Sequence, residues 1–188
     1  TTTTASSLLS ARYGVGGESY HAATCTATDA DTVMECDTVP GVGSGHRWEV
    51  NVGGEADATS ELSTDTTSYK PPMIEANSGD AVTGSGLSRG ATEGGELLVV
   101  SGSEFGPKDD GAPSLSYGDL SDDSSPYVYN GTSCYVSVAY TQISCYTAPG
   151  SGKDYSLMIN VGGQDSNVYD ANVSYAPPTI FTYTTQWE

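Results

Sequence analysis

Short runs in which apolar and polar residues alternate dominate the chain, and no long window shows helical periodicity. In the clearest run, Tyr155 to Val161, every second residue is apolar. A period of two places one face of a strand against a core and the other face in solvent. Gly, Pro and Asp separate the runs, as expected of turns between antiparallel strands. The pattern therefore predicts an all-β protein.

A passage of the chain occurs twice. Cys25 and Cys36 have the same spacing as Cys134 and Cys145, and an Asn-Val-Gly-Gly segment and a Pro-Pro pair follow in both copies. The second copy lies 109 residues after the first at the Cys pairs (134 − 25) and 106 residues after it at the prolines (177 − 71). A repeat of this length matches the size of a β-sandwich domain, so the sequence predicts tandem sandwiches.

The repeat divides the chain into two modules of unequal completeness. The strand expected in Gly94–Gly106 has no match in residues 1–24, so the first module is predicted to lack its opening strand. The Pro-Pro pairs favour extended joints at the module boundaries. The predicted divisions are a Thr/Ser-rich flexible lead-in at 1–12, a partial module 1 at 13–70, module 2 at 71–176, and at 177–188 either the opening strand of a following module or a donor strand.

Each Cys pair is predicted to close a hairpin through a disulfide, Cys25–Cys36 in module 1 and Cys134–Cys145 in module 2. Ten residues separate the two Cys of each pair, which does not match the short spacing of a zinc knuckle. Strand alternation places the second disulfide in the core together with Val136 and Val138. Local disulfides of this kind predict an oxidising, extracellular compartment.

The two histidines of the chain do not form a catalytic pattern. Nucleophilic catalysis requires a base beside a Ser or Cys, but His21 and His46 both lie in the incomplete module and all Cys are predicted to be paired. His46 occupies the position that Tyr155 has in the second copy, which predicts a half-buried packing role. The sequence therefore predicts that the chain is not an enzyme.

The charge is strongly acidic, with 6 Lys and Arg against 24 Asp and Glu, giving a net charge of −18. Such a surface repels phosphate backbones and anionic lipids, which excludes nucleic acid as a partner. No apolar run approaches the 18 residues of a membrane span, so no membrane insertion is expected in this segment. The acidic clusters are predicted to be solvated loops without a metal or cofactor, and a weak Ca²⁺ site at Asp119, Asp122 and Asp123 is the alternative.

Attached sugars are predicted at two kinds of position. Asn130 and Asn172 each begin an Asn-x-Ser/Thr sequon. Val173 and Tyr175 are predicted to point into the core, so Asn172 is predicted to point to solvent. The candidate O-glycosylation positions are Thr1, Thr2, Thr3 and Thr4.

Several motifs of the second copy form an ordered set. They are Pro72-Met73-Ile74, Gly94 to Gly106, Cys134, Cys145, Thr147 to Gly150, Ile159 to Gly163, and Ser174-Tyr175. In this order they resemble the IPT/TIG domains, immunoglobulin-like sandwiches found in plexins and fibrocystin-like surface proteins. The resemblance implies tandem immunoglobulin-like β-sandwiches that act as binding or spacer modules. Some IPT/TIG domains bind DNA through basic loops, whereas the acidic loops and Cys pairs of this chain are similar to the extracellular branch.

Three functions are compatible with these features. The first is a structural repeat of an extracellular, glycosylated filament or cell-surface appendage. In it, residues 179–188 of one copy complete module 1 of the next head to tail, and the self-association residues are Ile180, Phe181, Tyr183 and Trp187. An equal alternative to that assembly is that the 188 residues are a window of a longer repeat protein. The second is a ligand-binding or adhesion ectodomain fragment of a larger surface receptor. The third is a non-catalytic module of a secreted carbohydrate-active enzyme.

Overall fold

The computed structural model describes residues 9–29, 32–76, 80–108, 110–120 and 128–182. These residues form β-strands joined by turns, with a short 3-10 helix at Ala56–Ala58. In the same ranges, no helix has the length and apolar character that a membrane span requires. The strands are β1 (Leu9–Gly14), β2 (Tyr20–His21), β3 (Cys25–Asp29), β4 (Val33–Cys36), β5 (Arg47–Val52), β6 (Met73–Ile74), β7 (Val82–Thr83), β8 (Leu97–Ser103), β9 (Ser114–Gly118), β10 (Val128–Asn130), β11 (Thr132–Val138), β12 (Gln142–Tyr146), β13 (Tyr155–Val161), β14 (Gln164–Asp165) and β15 (Tyr169–Val173).

The strands of module 2 form two antiparallel sheets that enclose one core. One sheet has the order β10-β9-β13-β14, with β15 also paired to β13, and the other has the order β11-β12-β8-β6, with β7 also paired to β8. The alternation in the sequence explains the core, because Leu157, Ile159 and Val161 of β13 are buried as predicted. Each buried side chain of this size contributes about 1.5–3 kcal/mol through the hydrophobic effect. The all-β immunoglobulin-like sandwich is therefore confirmed.

Module 1 repeats only part of this arrangement. Strands β1 and β5 pair as β9 and β13 do, and β3 and β4 form a separate hairpin as the counterparts of β11 and β12. The isolated bridge His46–Thr67 is the counterpart of the pair Tyr155–Val173, since the two positions differ by 109 and 106 residues. The repeat seen in the sequence therefore extends to the pairing of the backbone.

Two sequence predictions need correction. Strand β1 begins at Leu9, so the last four residues of the predicted flexible lead-in belong to a strand that pairs with β5. Leu9 and Ala11 lie in a Thr/Ser-rich stretch in which apolar residues do not alternate clearly, so the sequence pattern did not indicate a strand there. Pairing with β5 holds these residues in a strand. Val138 is 48% exposed rather than in the core. A register shift between Val136 and Val138 turns its side chain outward.

Strand β12 and its counterpart β4 differ in their neighbours. In module 2, β12 lies between β11 and β8, so both of its edges are paired. In module 1, β4 pairs with β3, and no strand of the described residues pairs with its other edge. An unpaired edge presents free backbone N–H and C=O groups to solvent or to an added strand.

Amide hydrogen exchange of the free chain should distinguish the two strands. We expect the amides of β4 that face away from β3 to exchange ~100-fold or more faster than their counterparts in β12, because local opening is not required to expose them. Strands β1 and β9 are the matched control, since each lies between two strands and the pair should show similar protection. Equal protection of β4 and β12 would contradict the open edge.

Candidate functional site: the module joint and the open face of module 1

The joint between the modules is formed by one side chain that enters a hollow made by glycines. Val42 of module 1 is 7% exposed and packs with the core residues of module 2. A Cβ atom added to Gly106, Gly111 or Gly162 would lie closer than 3.0 Å to a methyl carbon of Val42. All three glycines also have positive φ angles, so no other residue type fits the hollow without strain.

Polar contacts surround this apolar contact. The Tyr20 hydroxyl accepts a hydrogen bond from the backbone N–H of Val42 and donates one to Oδ2 of Asp110 at 2.7 Å. Gln164 Nε2 donates to the carbonyl of Tyr69 at 3.2 Å. Lys70 and Glu104 add an exposed ion pair at 3.5 Å, which contributes little by itself. Together these contacts join module 2 to two parts of module 1. One is the loop that contains Val42, and the other is the Tyr69-Lys70 segment just before the prolines.

The inner face of β5 in module 1 is less covered than that of β13 in module 2, although Ala11 and Tyr13 of the neighbouring β1 are buried. Val52 is 57% exposed, whereas its counterpart Val161 is 1% exposed. Trp48 and Val50 are half-buried, and their counterparts in β13 are fully buried. In module 2 the opposite sheet, which includes β8, covers this face, and the described residues of module 1 provide no counterpart of β8. An incompletely covered apolar face thus accompanies the open edge of β4.

A pair of tyrosines holds the loop that precedes each joint. In module 2 the backbone N–H of Ala148 donates to the Tyr117 hydroxyl at 2.9 Å, and the Tyr175 hydroxyl donates to the Ala148 carbonyl at 2.7 Å. The two hydroxyl oxygens are 2.5 Å apart and share a hydrogen bond. The residue before the Pro149-Gly150 turn therefore has both of its backbone groups bonded to tyrosines.

Module 1 repeats the same contacts with Tyr13, Tyr69 and Val39. The N–H of Val39 donates to Tyr13 at 2.9 Å, Tyr69 donates to the carbonyl of Val39, and the two hydroxyl oxygens are 2.6 Å apart. Tyr20 stacks on Tyr13, with ring centroids 5.2 Å apart. Tyr129 stacks in the same way on the corresponding tyrosine of module 2. We call these residues the tyrosine cluster of each module.

Comparison with protein families identifies the fold. The family model described as IPT/TIG domain matches residues 81–175, which is half of the chain. The chain belongs to the IPT/TIG family. A search of curated proteins found no match. IPT/TIG domains are non-enzymatic immunoglobulin-like modules that are not known to need cofactors.

The predicted disulfides of the IPT/TIG chain are formed. Cys25 is bonded to Cys36 and Cys134 to Cys145, each closing one hairpin. Cys145 is fully buried in the core of module 2, whereas Cys36 is half-buried in the thinner hairpin of module 1. Disulfides and IPT/TIG membership fit an extracellular or cell-surface domain.

The side chains of the two sequon asparagines are accessible to solvent. Asn130 and Asn172 are both exposed, and Val173 beside the second is buried as predicted. Their glycosylation stays a prediction.

His46 has a packing role as predicted, but it is almost fully buried rather than half-buried. Its exposure is 4%, because Tyr13, Tyr20 and Tyr69 surround its ring. Its Nε2 bonds to the carbonyl of Val42, which ties it to the joint.

Other predicted site residues lie apart from the joint or outside the described residues. Ile180 and Phe181 are 83% and 90% exposed, and residues 177–182 form no strand. Asp119 is an exposed residue after β9. No group of three or more potential metal ligands lies together in the described ranges. Outside them lie Thr1, Thr2, Thr3, Thr4, Asp122, Asp123, Tyr183 and Trp187.

The sequence prediction did not identify the tyrosine clusters as structural units. The composition contained the signal, since 13 Tyr and only 2 Phe occur in a chain whose core needs aromatic residues. A buried Tyr is preferred over Phe where its hydroxyl has a partner. Here the partners are backbone groups of a turn that is distant in sequence, so spacing alone does not reveal them.

Burial raises the pKa of Tyr69 and of Tyr175 well above the ordinary value of 10.0, and the hydrogen bond to the neighbouring tyrosine adds to the rise. Burial also raises the pKa of Tyr117. In the unfolded chain these groups ionise near pH 10, but in the folded chain they stay protonated to higher pH. Their contribution to stability is therefore complete below pH 10 and is lost as the pH rises through the raised values.

We predict that the folded chain unfolds in alkali and that Tyr175→Phe weakens this pH dependence. The variant also loses the hydrogen bonds of the Tyr175 hydroxyl to Ala148 and Tyr117, so it should be less stable at pH 7 by about 1 kcal/mol or more. Denaturant unfolding at several pH values, with tyrosinate absorbance recorded in parallel, measures both effects. Tyr135→Phe, at an exposed tyrosine, is the control and should change neither. An unchanged pH dependence for Tyr175→Phe would contradict the role of the cluster.

Proposed function

We propose that the chain is a structural repeat component of an extracellular, glycosylated filament or cell-surface appendage, and that its copies associate head to tail by strand addition. The observation that carries the proposal is the open edge of β4 beside the half-covered inner face of β5. A donor strand there would pair with the backbone of β4 and cover the apolar side chains at the same time. In module 2, β8 has both roles, since it pairs with the backbone of β12 and covers the apolar side chains of β13.

The proposed donor is the segment 179–188. It follows Pro177 and Pro178, just as β6 follows the prolines of the first joint. In an extended conformation Phe181, Tyr183 and Trp187 would share one face, because side chains alternate along a strand. The described part of the segment leaves Phe181 almost fully exposed, so its ring is free to be buried in another copy.

A contact of this kind is heterologous, since the donor and the acceptor are different surfaces. Such contacts build open filaments when their rotation does not close a ring. The net charge of −18 disfavours lateral association between filaments. The exposed sequon residues Asn130 and Asn172 lie outside the proposed acceptor, on strands β10 and β15 of module 2.

The test is the association state of the disulfide-bonded chain by multi-angle light scattering. We expect the mass to rise with concentration for the wild type and to stay monomeric for Phe181→Ser/Tyr183→Ser/Trp187→Ser, because the apolar face of the donor is lost. Thr182→Ser/Thr184→Ser, on the opposite face, is the control and should assemble. Hydrogen exchange should show new protection in β4 on assembly, while β12 stays unchanged.

A wild type that remains monomeric at ~100 µM, or an assembly that leaves β4 unprotected, would refute strand addition. The first result would contradict self-association as such. The second would mean that copies associate by another surface.

Glycosylation has its own test. Expressed by a eukaryotic secretory host, the chain should carry N-glycans at Asn130 and Asn172, and Asn130→Gln and Asn172→Gln should each remove one glycan. Intact mass before and after enzymatic deglycosylation measures occupancy. A mass equal to that of the bare polypeptide in the wild type would contradict the proposal for both positions.

The alternative is an adhesion or ligand-binding ectodomain, and one surface favours it. Tyr135, Tyr140 and Tyr146 of the β11–β12 hairpin are between 36% and 48% exposed. Aromatic residues of this kind are enriched at binding interfaces. Replacement of all three by Ser should abolish cell-surface or glycan binding and leave self-association unchanged if this alternative holds.

A further inference from the structure

The joint between modules 1 and 2 is a template for a second joint, because the repeat places residues that correspond to its two sides in module 2 and in module 1. Val42 of the first joint corresponds to Ser151, 109 residues later, and Lys70 corresponds to Ala176, 106 residues later. On the other side of the first joint, Gly162 and Gln164 contact module 1, and the segment Val161 to Gln164 corresponds to Val52 to Glu55. Gly162 and Gln164 therefore correspond to Gly53 and Glu55, whereas Gly106 and Gly111 have no corresponding glycine in module 1.

We define the tail face as the end of module 2 formed by Arg89, Ser151–Lys153 and Tyr175–Pro178. Of these residues only Tyr175 is buried, and they line a groove of about 480 Å³. In the first joint the corresponding loop of module 1 is covered by module 2. The tail face is the same loop without its cover in the described residues.

We define the head face as Val52–Glu55, the last residue of β5 and the turn that follows it. All four residues are exposed, and space is open around Gly53, whereas the corresponding Gly162 lies against Val42 and Gly43. Val52, at the start of this face, is 57% exposed. The head face is therefore the other uncovered half of the joint.

The charges of the two faces are opposite. The tail face carries Arg89 and Lys153, two of the six cations in the chain, and Lys153 is only paired with its exposed neighbour Asp154. The head face carries Glu55 and is followed by Asp57. Glu55 stands at the position of Gln164, whose side chain reaches the tail of module 1 in the first joint. Complementary charge at corresponding positions favours a second copy as the occupant.

We propose that the tail face of one copy docks on the head face of a second copy in the geometry of the joint between modules 1 and 2. The inference rests on the proposed head-to-tail assembly and names the surfaces that set its geometry. It also explains how the donor reaches its acceptor. In the first joint the prolines lead directly into β6, which pairs with β8, so the same docking would bring residues 179–188 beside the position in module 1 that lacks a counterpart of β8.

The test is a charge exchange measured by sedimentation velocity at low salt. Glu55→Lys/Asp57→Lys and Arg89→Glu/Lys153→Glu should each weaken association about 10-fold or more, since like charges would then face each other. The two reversed variants mixed together should recover heterotypic association to within about 3-fold of the wild type. Glu61→Lys/Asp65→Lys is the charge-matched control and should have no such effect.

A gain-of-function variant guards against misfolding as an explanation. Ser151→Val restores the side chain that fills the first joint and should strengthen association a few-fold, whereas Thr64→Val, at an exposed position outside both faces, should not. If copies assemble but neither charge reversal nor Ser151→Val changes the affinity, the docking surfaces are wrong and strand addition stands. If the wild type does not associate at all, as when the tail face serves only a following module, both proposals fail.

Discussion

Strand β8 satisfies two requirements of module 2 at once, and the properties of the chain depend on where this strand is present. Its backbone pairs the edge of β12, and Leu98 and Val100 cover the side chains of the opposite sheet. A β-sandwich needs both, because unpaired backbone groups and exposed apolar residues are each unfavourable. Module 1 has the partners of such a strand but, in the described residues, no counterpart of it. The contrast between Val52 and Val161 measures the consequence directly.

The tyrosine clusters hold a turn at the end of each module through hydrogen bonds to its backbone. Tyr13 and Tyr69 fix the turn that precedes Val42, and Val42 then enters the hollow of three glycines. A turn held through both its N–H and its carbonyl presents the same shape each time the module is repeated. This geometry favours a chain of modules with defined angles over a flexible string. It gives the proposed assembly a physical basis without a catalytic site.

Much of the fold followed from the sequence. The offsets of 109 and 106 residues predicted two modules, the spacing of the Cys pairs predicted the disulfides, and the alternation in Tyr155–Val161 predicted the buried face of β13. The candidate site was less accessible. Ile180 and Phe181 were predicted as self-association residues, which stays a prediction, but Val42 was not singled out, since a single Val between two glycines has no periodic pattern.

The sequence by itself determined that the chain is built of β-strands, which Cys residues pair, and that one passage is repeated. Each of these features follows from a short local pattern or from its recurrence along the chain. The tertiary structure decided which strands lack a neighbour, how Val42 joins the modules and why tyrosine replaces phenylalanine. These features depend on contacts between residues far apart in the chain, such as Tyr13 with Val39 (39 − 13 = 26 positions) and Val42 with Gly162 (162 − 42 = 120 positions). Only folding brings such groups within hydrogen-bonding or van der Waals distance.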